Sequence, residues 1–158
     1  MSVPLNGNHA VSETVGRAME ILLIEDSLMA ARLTARAIRE RPFDHRLTWL
    51  TDGCEALRYL AREGCYARAP RPDLILLDLV LPGCSGQQIL ERMQQDSSLT
   101  NVPVVVLTGE AVPENNGSSV SPQVRGYLTK PFQADQFQEL LTQLRGTWRS
   151  RMLRAGSV

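Results

Sequence analysis

The 158 residues suit one domain, and 43% hydrophobic with 22% charged residues is the composition of a packed globular protein, not a disordered one. Seventeen basic residues balance seventeen acidic ones, so there is no electrostatic reason for nucleic acid or an anionic membrane to be a general partner. No apolar run approaches the roughly 20 residues of a membrane span, and no charged-then-apolar leader opens the chain, so a cytoplasmic protein is expected.

Residues 1–18 mix Pro4, Gly7 and asparagines with few apolar anchors and read as a disordered N-terminal arm. An apolar run from Met19 to Ile24 then ends in Glu25-Asp26, the pattern of a buried first strand. Ser27 is a candidate N-cap for a helix over 28–39. In that helix Met29, Leu33 and Ala37, with Ala30 and Ile38, keep inward spacing while Arg32, Arg36 and Arg39 fill another face. Pro42 bars its continuation. A short second strand over 46–50 follows, then a turn at Asp52-Gly53 and a helix over 54–63 with Leu57, Leu60 and Ala61 inward.

The third strand, Leu74-Ile75-Leu76-Leu77, runs into Asp78, with Pro82-Gly83 four residues on. A helix starting at Ser85 or Gly86 carries Ile89, Leu90 and Met93, and a β-branched fourth strand covers 102–107. The segment 111–121 holds Pro113, Gly117 and several Asn and Ser, so a short, irregular helix is predicted there. A fifth strand over 126–129 leads into Lys130-Pro131. A last helix over 133–148 places Phe137, Leu140, Leu141 and Leu144 on one face, before a polar, basic tail. Cys54, Cys65 and Cys84 fit no zinc or disulfide pattern and read as free thiols, while His9 and His45 have no partner at metal-ligand spacing.

Five alternations of strand and helix predict an α/β fold: a doubly wound parallel sheet with helices on both faces. Parallel strands put their C-terminal ends on one edge. Glu25, Asp26, Asp78, Thr108 and Lys130 should gather there. Taken singly, each has an ordinary role as a strand-end, cap or surface residue; their arrival from four strand ends is what points to a site. Close carboxylates repel unless a cation sits among them. An all-oxygen donor set suits a hard ion such as Mg²⁺, with Mn²⁺ as an alternative and the Val80 backbone carbonyl as a further ligand. A metal, an ammonium and a hydroxyl around one carboxylate suit phosphoryl transfer onto Asp78.

These motifs together, Ile21-Leu22-Leu23-Ile24-Glu25-Asp26-Ser27, Asp73-Leu74-Ile75-Leu76-Leu77-Asp78-Leu79-Val80-Leu81-Pro82, Val105-Val106-Leu107-Thr108 and Gly126-Tyr127-Leu128-Thr129-Lys130-Pro131-Phe132, make the chain resemble the receiver domain of two-component response regulators. The resemblance implies a flavodoxin-like five-stranded parallel sheet of order 2-1-3-4-5, with a receiver unit over 19–146 and a C-terminal extension over 147–158. It implies Asp78 as phosphoacceptor from a histidine kinase and Asp26 and Glu25 around Mg²⁺. It implies Thr108 and Tyr127 as a switch pair, Lys130 as the conserved-type lysine and a cis Lys130-Pro131 bond.

The long 62–73 connection and Trp148 are similar to the small response regulators paired with bacterial and cyanobacterial phytochromes. That likeness implies a bacteriophytochrome-type kinase as partner. It also implies a homodimer through the face of the fourth strand, the segment after it, the fifth strand and the last helix, with the C-terminal extension. Val80 stands where that subfamily often has Asn, which alters the chemistry available for dephosphorylation. A single-domain signalling protein is expected rather than an enzyme, with a phosphate sink or relay intermediate as the alternative. A haloacid-type Mg²⁺-dependent phosphatase would need a second Asp where Val80 stands, and a flavodoxin-type binding module would meet repulsion from Glu25-Asp26.

Overall fold

The computed structural model describes residues 17–40, 43–109 and 121–155, with side chains as far as residue 144. Five parallel strands, β1 (Met19–Ile24), β2 (His45–Leu50), β3 (Leu74–Asp78), β4 (Val104–Thr108) and β5 (Val124–Thr129), form one sheet in the order β2-β1-β3-β4-β5. Among the described residues four α-helices accompany it, α1 (Leu28–Arg39), α2 (Gly53–Leu60), α3 (Gly86–Gln95) and α4 (Ala134–Ala155), with a short 3-10 turn over Gly64–Tyr66. The doubly wound topology and strand order agree with the expectation.

The sequence explains the layering. All five residues of β3 are buried, because the central strand of a parallel sheet is covered on both faces. Alternate residues feed two cores. Leu23, Leu76, Val105 and Leu107 pack with α1 and α4 through Ile38, Phe137 and Leu141. Leu22, Ile24, Ile75, Leu77 and Val104 pack with α2 and α3 through Leu60, Ile89 and Met93. Helix starts are set by local chemistry. Ser27 Oγ accepts the Ala30 N–H, Asp52 caps α2, and Ser85 and Gln88 form a reciprocal capping box on α3.

Several local expectations need correcting. Helix α1 buries Ala31, Thr34, Ala37 and Ile38, whereas Met29 and Leu33 are exposed. Small residues let α1 approach the sheet closely, so the larger Met29 and Leu33 side chains turn outward. In α2 Tyr59 is buried and Ala61, the C-cap, is exposed. The last helix runs to Ala155, past the expected end at 148. Residues 149–155 contain arginines, Met152, Leu153 and Ala155, good helix formers with no Gly or Pro among them. Cys54 and Cys84 are not free: they are disulfide-bonded across 30 residues of sequence, with Cα atoms 4.8 Å apart, leaving Cys65 as the exposed free cysteine. No sequence spacing signals this pair, because the turn after β3 has to fold back on α2 before the two residues meet. The 111–121 helix lies almost wholly outside the described residues, as do Pro42, most of the N-terminal arm and the Trp148 side chain.

Candidate functional site

The C-terminal edge of the sheet brings the acidic residues together from β1 and β3. One carboxylate oxygen from each of Glu25, Asp26 and Asp78 lies within 4.8 Å of the others. Glu25 is fully buried and Asp78 nearly so, while Asp26 is exposed. Lys130, just past the end of β5, reaches across with Nζ 2.9 Å from Glu25 Oε2 and 3.1 Å from Asp78 Oδ2. Its side chain is only 21% exposed, so both ion pairs are shielded from water.

Backbone groups complete the cradle. The Ser27 N–H donates to Glu25 Oε1 at 3.1 Å, and the Val80 N–H donates to Asp78 Oδ1 at 2.9 Å. Val80 itself is 81% exposed. Lys130-Pro131 is cis, and the Lys130 N–H donates to the Thr108 carbonyl at 2.7 Å, tying the lysine's backbone to the end of β4.

Electrostatics in the cluster oppose one another. Burial pushes the Glu25 carboxyl above its ordinary value, against hydrogen bonds from Lys130 and Ser27, and the neighbouring Asp78 charge pushes the same way as burial. Burial alone would lower Lys130, but its bonds to Glu25 and Asp78 outweigh that and hold it above the usual lysine value. The net formal charge of Glu25, Asp26, Asp78 and Lys130 is therefore negative with all four ionised. An oxygen-only donor set with surplus negative charge fits a hard divalent cation of the Mg²⁺ or Mn²⁺ type.

Thr108 is half-buried at the end of β4. Tyr127 on β5 is level with Val106, two residues back from Thr108, so both project to the same face of the sheet. Burial raises the Tyr127 hydroxyl above its ordinary value. Glu25, Asp26, Asp78 and Lys130 thus meet at this edge, with Thr108 at the end of β4 and Tyr127 one step beneath it on β5. Two supports were missed. Trp49, on the edge strand β2, donates its indole N–H to the Glu25 carbonyl at 2.7 Å, which fixes the backbone of the acidic turn. Nothing in a lone strand tryptophan announces that contact. Gly53 and Gly86 allow close backbone approach. A Cβ on Gly86 would lie 2.6 Å from Leu79 Cα and 2.8 Å from the Asp78 carbonyl oxygen.

Comparison with known proteins yields one consistent family. Residues 21–142 match the response regulator receiver domain. Response regulator Rcp1 of Synechocystis is 41% identical over 110 residues, covering 70% of this chain and 75% of that protein. The Mn²⁺-bound crystal form of Rcp1 superposes with a TM-score of 0.66 at 35% identity, over 82% of this chain and 94% of that one. The phosphorylated cyanobacterial phytochrome response regulator RcpA gives 0.68 at 35%, over 85% and 96% of the two chains. The bacteriophytochrome response regulator RtBRR gives 0.73 at 32%, over 80% and 78%.

Proposed function

Because this chain belongs to the response regulator receiver family, whose members are signalling proteins phosphorylated by histidine kinases, we propose that Asp78 is its phosphoacceptor and that Glu25, Asp26 and Asp78 hold Mg²⁺ or Mn²⁺. The observation that carries this reading is Lys130 Nζ, held between Glu25 and Asp78 at 2.9 and 3.1 Å beside the acidic cluster. A cation held there would supply charge neutralisation to the oxygens of the phosphoryl group. An Asp78 carboxylate oxygen attacks phosphorus as the nitrogen–phosphorus bond of a phosphohistidine breaks, and the imidazole leaves with the bonding pair. Lys130, already aimed at Asp78, neutralises the transferring oxygens, and the Val80 N–H orients the nucleophile. The Val80 carbonyl would serve as an additional oxygen ligand.

Phosphorylation adds strong acceptors beside Thr108. The Thr108 hydroxyl turns to donate to one of them, and Tyr127, on the same face one strand over, repacks into the space released. The likeness to the phytochrome response regulator RcpA and the bacteriophytochrome response regulator RtBRR supports a phytochrome-type histidine kinase as donor. Residues 19–146 form the unit that does this, in the cytoplasm. A homodimer assembled through the β4–β5 side, the intervening segment, α4 and the 147–158 extension relays the change. In that scheme Phe137 and Leu141 belong to the core and not to the dimer interface, since both are buried against the sheet.

The test is Mg²⁺ with beryllofluoride or a small phosphodonor, followed by NMR and Phos-tag gel. A shift confined to protein with intact Asp78, lost in Asp78→Asn, is expected. An identical response in Asp78→Asn would refute the assignment. For the dimer, light scattering of Trp148→Ala should give a smaller species than the parent; equal masses would remove Trp148 from the interface.

A further inference from the structure

The turn after β3 is held to α2 by three contacts that the phosphotransfer chemistry does not use. Cys84 is disulfide-bonded to Cys54 in the first turn of α2. The Gly53 N–H donates to the Pro82 carbonyl at 3.2 Å. A Cβ on Gly53 would sit 1.7 Å from the Cys84 carbonyl oxygen, so the two backbones are in direct contact. At the other end of the same turn Val80 donates to Asp78 Oδ1 and Leu79 accepts from the Gly86 N–H at 3.1 Å. Residues 79–84 therefore form a short span anchored to the phosphoacceptor at one end and covalently to α2 at the other.

We propose that Cys54–Cys84 is a reversible thiol–disulfide site, reduced by a dithiol, whose state sets how firmly the 79–84 turn presents Val80 to the Asp78 site. Cys54 is exposed and Cys84 half-buried, so Cys54 is the member of the pair nearer to solvent and the one the reductant is expected to attack. A thiolate of the dithiol attacks Cys54 Sγ; the sulfur–sulfur bond breaks and Cys84 leaves as a thiolate that takes up a proton. The second thiol of the reductant then attacks its own mixed-disulfide sulfur, releasing Cys54 as a thiolate that is protonated in turn. The protein gains two electrons and two protons, and the dithiol becomes a cyclic disulfide. A disulfide oxidant reverses the exchange.

Closing the bond restricts the turn without touching the carboxylates. The oxidised form presents Val80 in one geometry, and the reduced form relies on the Gly53–Pro82 hydrogen bond and packing alone. The consequence for metal binding rests on the assignment of Glu25, Asp26 and Asp78 above; the thiol chemistry does not.

The experiment equilibrates the full chain in reduced or oxidised dithiothreitol, removes the reagent, and divides each sample. Alkylation under denaturing conditions followed by intact mass should add one group to the oxidised protein, on Cys65, and three to the reduced protein. Three additions in both states would overturn the proposal. Mn²⁺ titration should give an affinity roughly three- to tenfold weaker in the reduced protein, as lost preorganisation predicts. Cys84→Ser should bind like the reduced form in either buffer. Equal affinities in the two states would overturn the coupling. Amide exchange over 79–84, read without metal, should be faster after reduction and in Cys84→Ser. If neither state bound Mn²⁺, the metal assignment would fall, and the exchange data would still decide whether the bond governs the turn.

Discussion

Lys130→Met, in metal-free buffer, removes the ammonium 2.9 Å from a carboxylate that is completely buried. The size of the loss follows from what Glu25 can do next. Stranding a buried charge costs several kcal/mol, so the carboxyl takes up a proton instead once that is the cheaper course. Counted from its ordinary value of 4.5, protonation at pH 7 costs roughly 3 kcal/mol at about 1.4 kcal/mol per pH unit. At pH 6 the same reckoning gives about 2 kcal/mol. Glu25 already lies above 4.5 in the parent, so these are ceilings on the Glu25 contribution.

The sign is set by that raised value. A carboxyl raised in the folded state favours folding below its unfolded value, and that advantage is lost as pH rises through its folded value. Lys130→Met raises Glu25 further, so the Glu25 share of the stability deficit should be small near pH 5 and grow towards pH 7, on top of a pH-independent loss of the Asp78 contact. Urea unfolding of parent and variant at pH 5, 6 and 7 with EDTA measures it. In a Lys130→Met/Glu25→Gln protein the pH-dependent part of the deficit should largely disappear. A deficit independent of pH, or one unchanged by Glu25→Gln, would refute the idea that Lys130 is there to balance the buried Glu25.

Trp49→Phe deletes the indole donor to the Glu25 carbonyl and should cost about 1 kcal/mol in urea unfolding; it should also weaken Mn²⁺ binding, and unchanged binding would show that the acidic turn needs no such tether. Gly53→Ala forces a Cβ against the Cys84 carbonyl and should destabilise by about 1–3 kcal/mol, with loss of the Cys54–Cys84 bond read by alkylation mass. Phe137→Ala empties a fully buried site between α4, α1 and the sheet, and chemical denaturation should show a loss of about 3–5 kcal/mol.

Much of this molecule is legible before any coordinates. Runs such as Leu74–Leu77 mark strands buried on both faces, and five alternations leave a parallel sheet as the economical arrangement. Parallel strands share one C-terminal edge, so the chain alone predicts a common edge for Glu25, Asp26, Asp78, Thr108 and Lys130. Helix faces were less legible. Met29 and Leu33 are apolar and correctly spaced for a core, yet α1 turns Ala31 and Thr34 inward, because close helix–sheet packing favours small side chains.

By itself the sequence determined the order of elements, the sheet type and the edge at which charge collects, since these follow from hydrophobic periodicity and chain connectivity. Only the tertiary structure decided which groups touch. Lys130 meets Glu25 across 105 residues, Trp49 tethers the acidic turn from a neighbouring strand, and Cys54 finds Cys84. Contacts of that kind depend on strand register and on how each turn folds back over a helix, and no local pattern in the chain encodes either.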